Sequence, residues 1–205
     1  MKHIRMSFWL AGMLCIPYFT GSLLLASPAA VAAVPAAPLP GDSIYQTPLS
    51  LEDQQGHHFD LAAMRGKPVI VSMFYASCTA ACPLTVDTID QIRRAVSASG
   101  RVAPSVLMVS FDPQHDDMFN LAAMAKAHQL DPASWRLTRP TAGDVRAFAA
   151  TLGIAWRQRA NGDISHDAVI ALLDGNGRLV AHTSLVGQVD PAFVEAVRQS
   201  AASSR

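Results

Sequence analysis

The residues of this 205-residue chain best suited to chemistry are two cysteines in Cys78-Thr79-Ala80-Ala81-Cys82, with Pro83 directly after the second. Side chains four residues apart on a helical turn lie on one side of it, about 5–6 Å apart at Cβ. Two sulfurs at that spacing can share one soft metal ion, and a small adjustment closes them into a disulfide. The dipole at a helix start favours a thiolate, so the pair is expected to ionise more readily than the ordinary thiol value of about 8.5. Two thiolates joined by one imidazole would suit copper better than a hard cation. The pair alone also permits a purely structural disulfide.

The flanking segments have to position that pair. Val69–Tyr75 is a continuous apolar run rich in β-branched and aromatic residues, the pattern of a strand buried on both faces. Pro83 opens a helix to about Ser99, with Leu84, Ile89, Ile92 and Val96 on one side and Gly100 as the stop. The cysteines therefore sit where a buried strand leads into a helix, the place where α/β sheets bind ligands. Ser105–Phe111 reads as a second buried strand and Asp117–Gln129 as a helix. Thr141 with Asp144 resembles a capping box for a helix carrying Val145, Phe148 and Leu152. Asp167–Leu173, the tight turn Asp174-Gly175-Asn176-Gly177, and Arg178–Thr183 read as a hairpin, and Asp190–Ala201 as a closing helix. Leu49–Met64 reads as a short hairpin before the first buried strand. This order predicts an α/β, thioredoxin-like fold: a mixed sheet flanked by helices, with an N-terminal hairpin extension.

The chain's beginning is a separate object. Lys2, His3 and Arg5 precede an apolar run from Phe8 to Ala26, and small residues around Ala30 and Ala32 follow. That is the pattern of a secretory signal, and residues 8–26 are also long enough to anchor the chain in a bilayer. Residues 1–32 are read as signal peptide or membrane anchor, 33–44 as a Pro/Ala-rich tether, and 45–205 as the folded domain. Cys15 falls in the apolar run, and Gly12-Met13-Leu14 before it lacks, at its last position, the small residue a lipoprotein signal requires. Export places the body in the periplasm, free or anchored at the cytoplasmic membrane, where disulfides persist. The 16 basic and 16 acidic residues balance, which argues against a nucleic-acid-binding face. Three cysteines are too few for a disulfide-stapled mini-fold.

Gly66-Lys67-Pro68-Val69 leading to Phe74-Tyr75-Ala76-Ser77-Cys78 and Cys82-Pro83 resembles the SCO/SenC family of copper-binding, thioredoxin-fold proteins. Val109-Ser110-Phe111-Asp112-Pro113 with Asp116, and Ser165-His166-Asp167 followed by Asp174-Gly175-Asn176-Gly177-Arg178, look like that family's two later motifs. The resemblance runs from about residue 45 to 199 and implies copper ligands at Cys78, Cys82 and His166. Two departures stand out: Thr79-Ala80-Ala81 replaces the commoner Pro-containing spacer, and Asp167 follows the histidine where Ser is frequent.

The remaining candidates have blander readings beside the functional one. His57 and His58 fall in the early hairpin, His128 on a helix and His182 on the last strand. His115 is close enough to Asp112 to approach the site. Asp112 reads equally as an orienting carboxylate and as a sheet-end turn residue. Met73 and Met108 carry thioethers, but within apolar strands they read as core.

The resemblance implies a copper metallochaperone that delivers copper to the dinuclear copper site of cytochrome c oxidase, or prepares that site, with the copper-site subunit as partner. The rival is a thiol–disulfide oxidoreductase in which one cysteine attacks a partner disulfide and the other resolves the intermediate. A copper or redox sensor would use the same ligands. The three-residue spacer and the histidine favour copper over thioredoxin-type exchange, and no Thr/Arg arrangement around Cys78 supports a peroxidase.

Overall fold

The computed structural model describes residues 37–79, 81–160 and 164–202. The signal-like segment 1–32, Cys15, the first residues of the tether and Ala80 lie outside the described residues. Nine strands and four α-helices follow one another as β1 (Ser50–Asp53), β2 (His58–Asp60), β3 (Val69–Phe74), α1 (Ala81–Ser97), β4 (Ser105–Ser110), α2 (Met118–Ala127), β5 (Trp135–Arg139), α3 (Val145–Thr151), β6 (Trp156–Gln158), β7 (Ile164–His166), β8 (Ile170–Leu173), β9 (Leu179–Thr183) and α4 (Pro191–Ala202) among the described residues.

All six residues of β3 are buried, as a strand covered on both faces requires. It pairs in parallel with β4 and antiparallel with β8, and β4 pairs in parallel with β5. The main sheet runs β2-β1-β5-β4-β3-β8-β9, so its directions are mixed. The N-terminal hairpin extends this sheet, β1 pairing with β5. The two-residue side-chain period of the central strands sorts their side chains into two cores. Val69, Val71, Met73, Leu107 and Val109 face one, with α3; Ile70, Phe74, Val106 and Met108 face the other, with α1 and α4. Met73 and Met108 are thus core residues. In α1, Val86, Ile89, Ile92 and Val96 form the buried stripe, while Leu84 is half exposed.

Several boundaries differ from the sequence reading. Helix α1 begins at Ala81 rather than Pro83, which places Cys82 inside its first turn. Proline is tolerated there because a first-turn N–H has no intrahelical partner. Strand β5 has no counterpart in the expected order, and the segment expected as one strand from Asp167 begins only at Ile170. His166 instead ends β7, which pairs with β6 as a separate two-stranded ribbon. The capping box is not formed: the Thr141 hydroxyl donates to the Asp144 carboxylate at 2.6 Å, and Asp144 makes no side-chain bond to the helix backbone.

The expected turn at 174–177 is present. The Asp174 carboxylate accepts from the Asn176 and Arg178 amides, and Gly177 has φ 80°. A Cβ at Gly177 would lie 2.5 Å from the Tyr45 ring, so both backbone angle and space require glycine. Here the tether docks, with the Ile44 amide donating to the Gly177 carbonyl at 2.8 Å.

Candidate metal centre

The C-terminal ends of β3 and β4 carry the site. The chain leaves β3 through Tyr75, and the Cys78 amide donates back to the Tyr75 carbonyl at 3.1 Å. This turn brings Cys78 over the start of α1, where the Cys82 amide donates to the Cys78 sulfur at 3.3 Å. The pair is in the dithiol form, with Cys78 half-buried and Cys82 buried. Cys82 belongs to the core on the α1 face, and Cys78 packs against it.

Their acidity departs from the expectation of a helix-start thiolate. Burial pushes the Cys82 thiol well up, the Cys78 side chain raises it further, and the Asp116 carboxylate adds a smaller push. Desolvation outweighs the helix dipole at this position because a thiolate buried there would lose most of its hydration.

The loop before Cys78 is held by a carboxylate. Both oxygens of Asp116 accept from the Ala76 amide at 3.1 Å, and one accepts the Ser110 hydroxyl at 2.5 Å. Burial raises the Asp116 pKa, and these two donors partly offset the rise. Asp112 takes another role. Its carboxylate lies 2.8 Å from His115 Nδ1 and raises the His115 pKa. Asp116 anchors the cysteine loop, a task that no local pattern in the sequence distinguishes from that of Asp112.

His166 approaches from the other face of the sheet. Its ring lies 4.6 Å from Phe111 and 6.2 Å from Tyr75 between centroids, the latter edge-on. Its Nδ1 lies 3.0 Å from the Asp167 carbonyl. A carbonyl can only accept, so Nδ1 carries the proton and Nε2 of the neutral ring keeps its lone pair for a metal. Tyr75 packs against both cores and so stands between the cysteines and the histidine. The structure brings the two cysteines together. Among the described residues, no group of three or more His, Cys, Asp or Glu is arranged to hold a metal ion. Two sulfurs in contact suit a soft monovalent ion; a third bond from His166 requires its ring to close on them.

The other histidines stand elsewhere. His57 faces Asp53 at 3.4 Å and is 70% exposed. His58 is exposed on β2, His128 ends α2 and His182 is exposed on β9. The ring platform of Tyr75, Phe111 and Trp156 under His166 was not anticipated by the sequence reading. Its aromatic residues run from Tyr75 to Trp156, far apart in the chain, and only the fold collects them.

No curated protein matches the chain by sequence. Among solved structures, a SCO1/SenC family lipoprotein from Bacillus anthracis is similar at 18% identity and a TM-score of 0.67, over 73% of this chain and 90% of its own. Arabidopsis thaliana ScoI, solved with copper bound, is similar at 16% identity and a TM-score of 0.64, over 74% of this chain and 97% of its own. BsSco, a member of the Sco family of cytochrome c oxidase assembly proteins with an identified disulfide switch, is similar at 17% identity and a TM-score of 0.63, over 76% of this chain and 92% of its own. The fold is that of these thioredoxin-like proteins. The family described as SCO1/SenC matches residues 38–201, from within the tether into the last turn of α4, and the chain belongs to it.

Proposed function

We propose that this chain is a copper metallochaperone that delivers copper to the dinuclear copper site of cytochrome c oxidase, or prepares that site, with Cys78, Cys82 and His166 as its ligands. The observation that carries the reading is the sulfur pair at the sheet's C-terminal edge; His166, across the Tyr75 ring from it, has its Nδ1 committed to a backbone carbonyl. Copper is the cargo. Each thiol that binds it releases a proton, and for Cys82 this undoes the protonated state that burial favours. Transfer then proceeds by exchange: ligands of the oxidase copper-site subunit displace the imidazole and thiolates one at a time, and each thiolate recovers a proton. Copper-bound relatives of the same fold support this cargo.

The working location belongs to the proposal too. Residues 1–32 export the body to the periplasm, by a cut near Ala33 or by anchorage through residues 8–26. Fractionation with N-terminal sequencing separates these outcomes, and recovery in the cytoplasm refutes both.

A second reading has one observation in its favour. Cys78 is half-buried while Cys82 is buried, the asymmetry expected when one thiol meets a partner disulfide and the other resolves the mixed intermediate. In that exchange the two thiols give up two electrons and two protons to the partner's disulfide and become a disulfide themselves.

The test is copper stoichiometry and spectrum of the reduced chain. About one ion per chain is expected, with sulfur-to-copper charge transfer for Cu(II). His166→Ala should weaken Cu(II) binding more than Cu(I) binding, because two thiolates suffice for linear Cu(I). Oxidation to the Cys78–Cys82 disulfide should abolish uptake. A reduced, folded chain that takes up no copper yet reduces partner disulfides would give the second reading precedence.

A further inference from the structure

Trp156 presents an unexplained buried polar group. Its indole Nε1–H is buried and has no hydrogen-bond partner among the described residues. Buried donors are almost always paired, so an orphan calls for an acceptor from outside the fold. Trp156 also lines a cavity of about 160 Å³ together with Phe111, Asp112, Gln114 and Gln158. At roughly 30 Å³ per water, that is space for about five waters, or for one amide group with its neighbouring carbons.

The cavity adjoins the candidate centre. Trp156 pairs directly with His166 across the β6–β7 ribbon. Phe111 links them from beneath, its ring 5.6 Å from Trp156 and 4.6 Å from His166. On the chemistry of its lining, the Asp112 carboxylate disfavours an anion. The side chains of Gln114 and Gln158 each offer donors and an acceptor, the complement of another amide. Strand β6 pairs only with β7 among the described residues, which leaves a backbone edge that an extended segment can join.

We infer that the cavity between Trp156, Gln158 and Phe111 is a recognition subsite for a peptide amide of an extended partner segment, whose carbonyl accepts the Trp156 indole N–H beside His166. This rests on the copper-exchange reading for the partner's purpose, since it seats the partner next to the imidazole that exchange must displace. The subsite itself is a matter of shape and hydrogen bonding.

The full chain in detergent, with ¹⁵N-labelled tryptophan and glutamine, is titrated with N-acetylglycine N-methylamide as the peptide probe and with acetate as the anionic control. The Trp156 indole resonance, identified by its loss in Trp156→Phe, should shift saturably with the peptide probe, as should the Gln158 side-chain amide. In Trp156→Phe the Gln158 response should require about tenfold more probe, the cost of one hydrogen bond. The Trp135 resonance reports that the variant remains folded. Absence of a saturable shift, or an equal shift with acetate, overturns the subsite. So does a Trp156 resonance that ignores the probe and contacts bound water, which assigns the cavity to solvent. Copper uptake by the unsubstituted chain is measured on the same sample. Its failure would strike the metallochaperone reading while leaving the amide shift intact.

Discussion

The two sides of the candidate centre are built to different standards. The cysteine side is continuous with the sheet: β3 is wholly buried, Cys82 lies within α1, and Asp116 clamps the intervening loop through the Ala76 amide. The histidine side rests on a ribbon of two three-residue strands, fastened by Phe111 and Trp156 and by ring contact with Tyr75. A sulfur pair fixed by the core gives a constant grip on a soft ion. An imidazole carried on a small separate sheet costs less to move, and on the proposed function it would be the group to swing onto and off the ion.

The sharpest way to break this contrast is to remove the clamp. Asp116→Ala leaves the Ala76 N–H and the Ser110 hydroxyl without their acceptor, and stability should fall by about 2–4 kcal/mol in denaturant unfolding. Asp116→Asn keeps one acceptor oxygen without a buried charge and should recover most of that loss. Equal behaviour of the two variants would mean that the loop does not depend on these bonds.

The next effect concerns Cys82. Its folded pKa is raised by burial, so its contribution to stability is complete below the unfolded thiol value of about 8.5. Above that value the unfolded chain ionises while the folded thiol does not, and stability of the reduced protein should decline by about 1.4 kcal/mol per pH unit. Cys82→Ala should flatten this alkaline slope; an unchanged slope would assign it to another group.

The smallest expected change sharpens the histidine side. Phe111→Leu keeps an apolar side chain but removes the ring beneath His166, at a cost of about 1 kcal/mol in stability. Cu(II) affinity should drop while Cu(I) binding by the thiols holds. Equal losses for both ions would show that the ribbon and the cysteine loop act as one unit.

The sequence carried the cysteine side in nearly complete form, because a buried strand, an i,i+4 pair and a helix stop are local patterns. It carried a histidine within the third motif, but not the ribbon and rings that surround it. Strands β6 and β7 are three residues each, too short for alternation to register, and in β5 (Trp-Arg-Leu-Thr-Arg) the alternation breaks at Thr138, a polar residue that is buried. Asp116 meets Ala76 across forty positions of chain, a pairing that only the finished sheet creates. The thiol's acidity is hidden for a related reason: a helix start is visible in sequence, whereas the depth at which it is buried is not. Thr141 and Asp144 satisfied the spacing of a cap and bonded each other instead.

The docking of the tether has a consequence for where this centre can work. Leu39 packs against the core and Ile44 bonds Gly177 in the β8–β9 turn, which lies beyond Leu173, the partner of Val69 at the start of β3. The cysteines leave from the other end of that strand. Six residues at about 3.3 Å each therefore separate the chain's point of attachment from its sulfurs by roughly 20 Å. A partner that reaches the sulfurs therefore does so at the end of the sheet remote from where residues 39–44 are fastened.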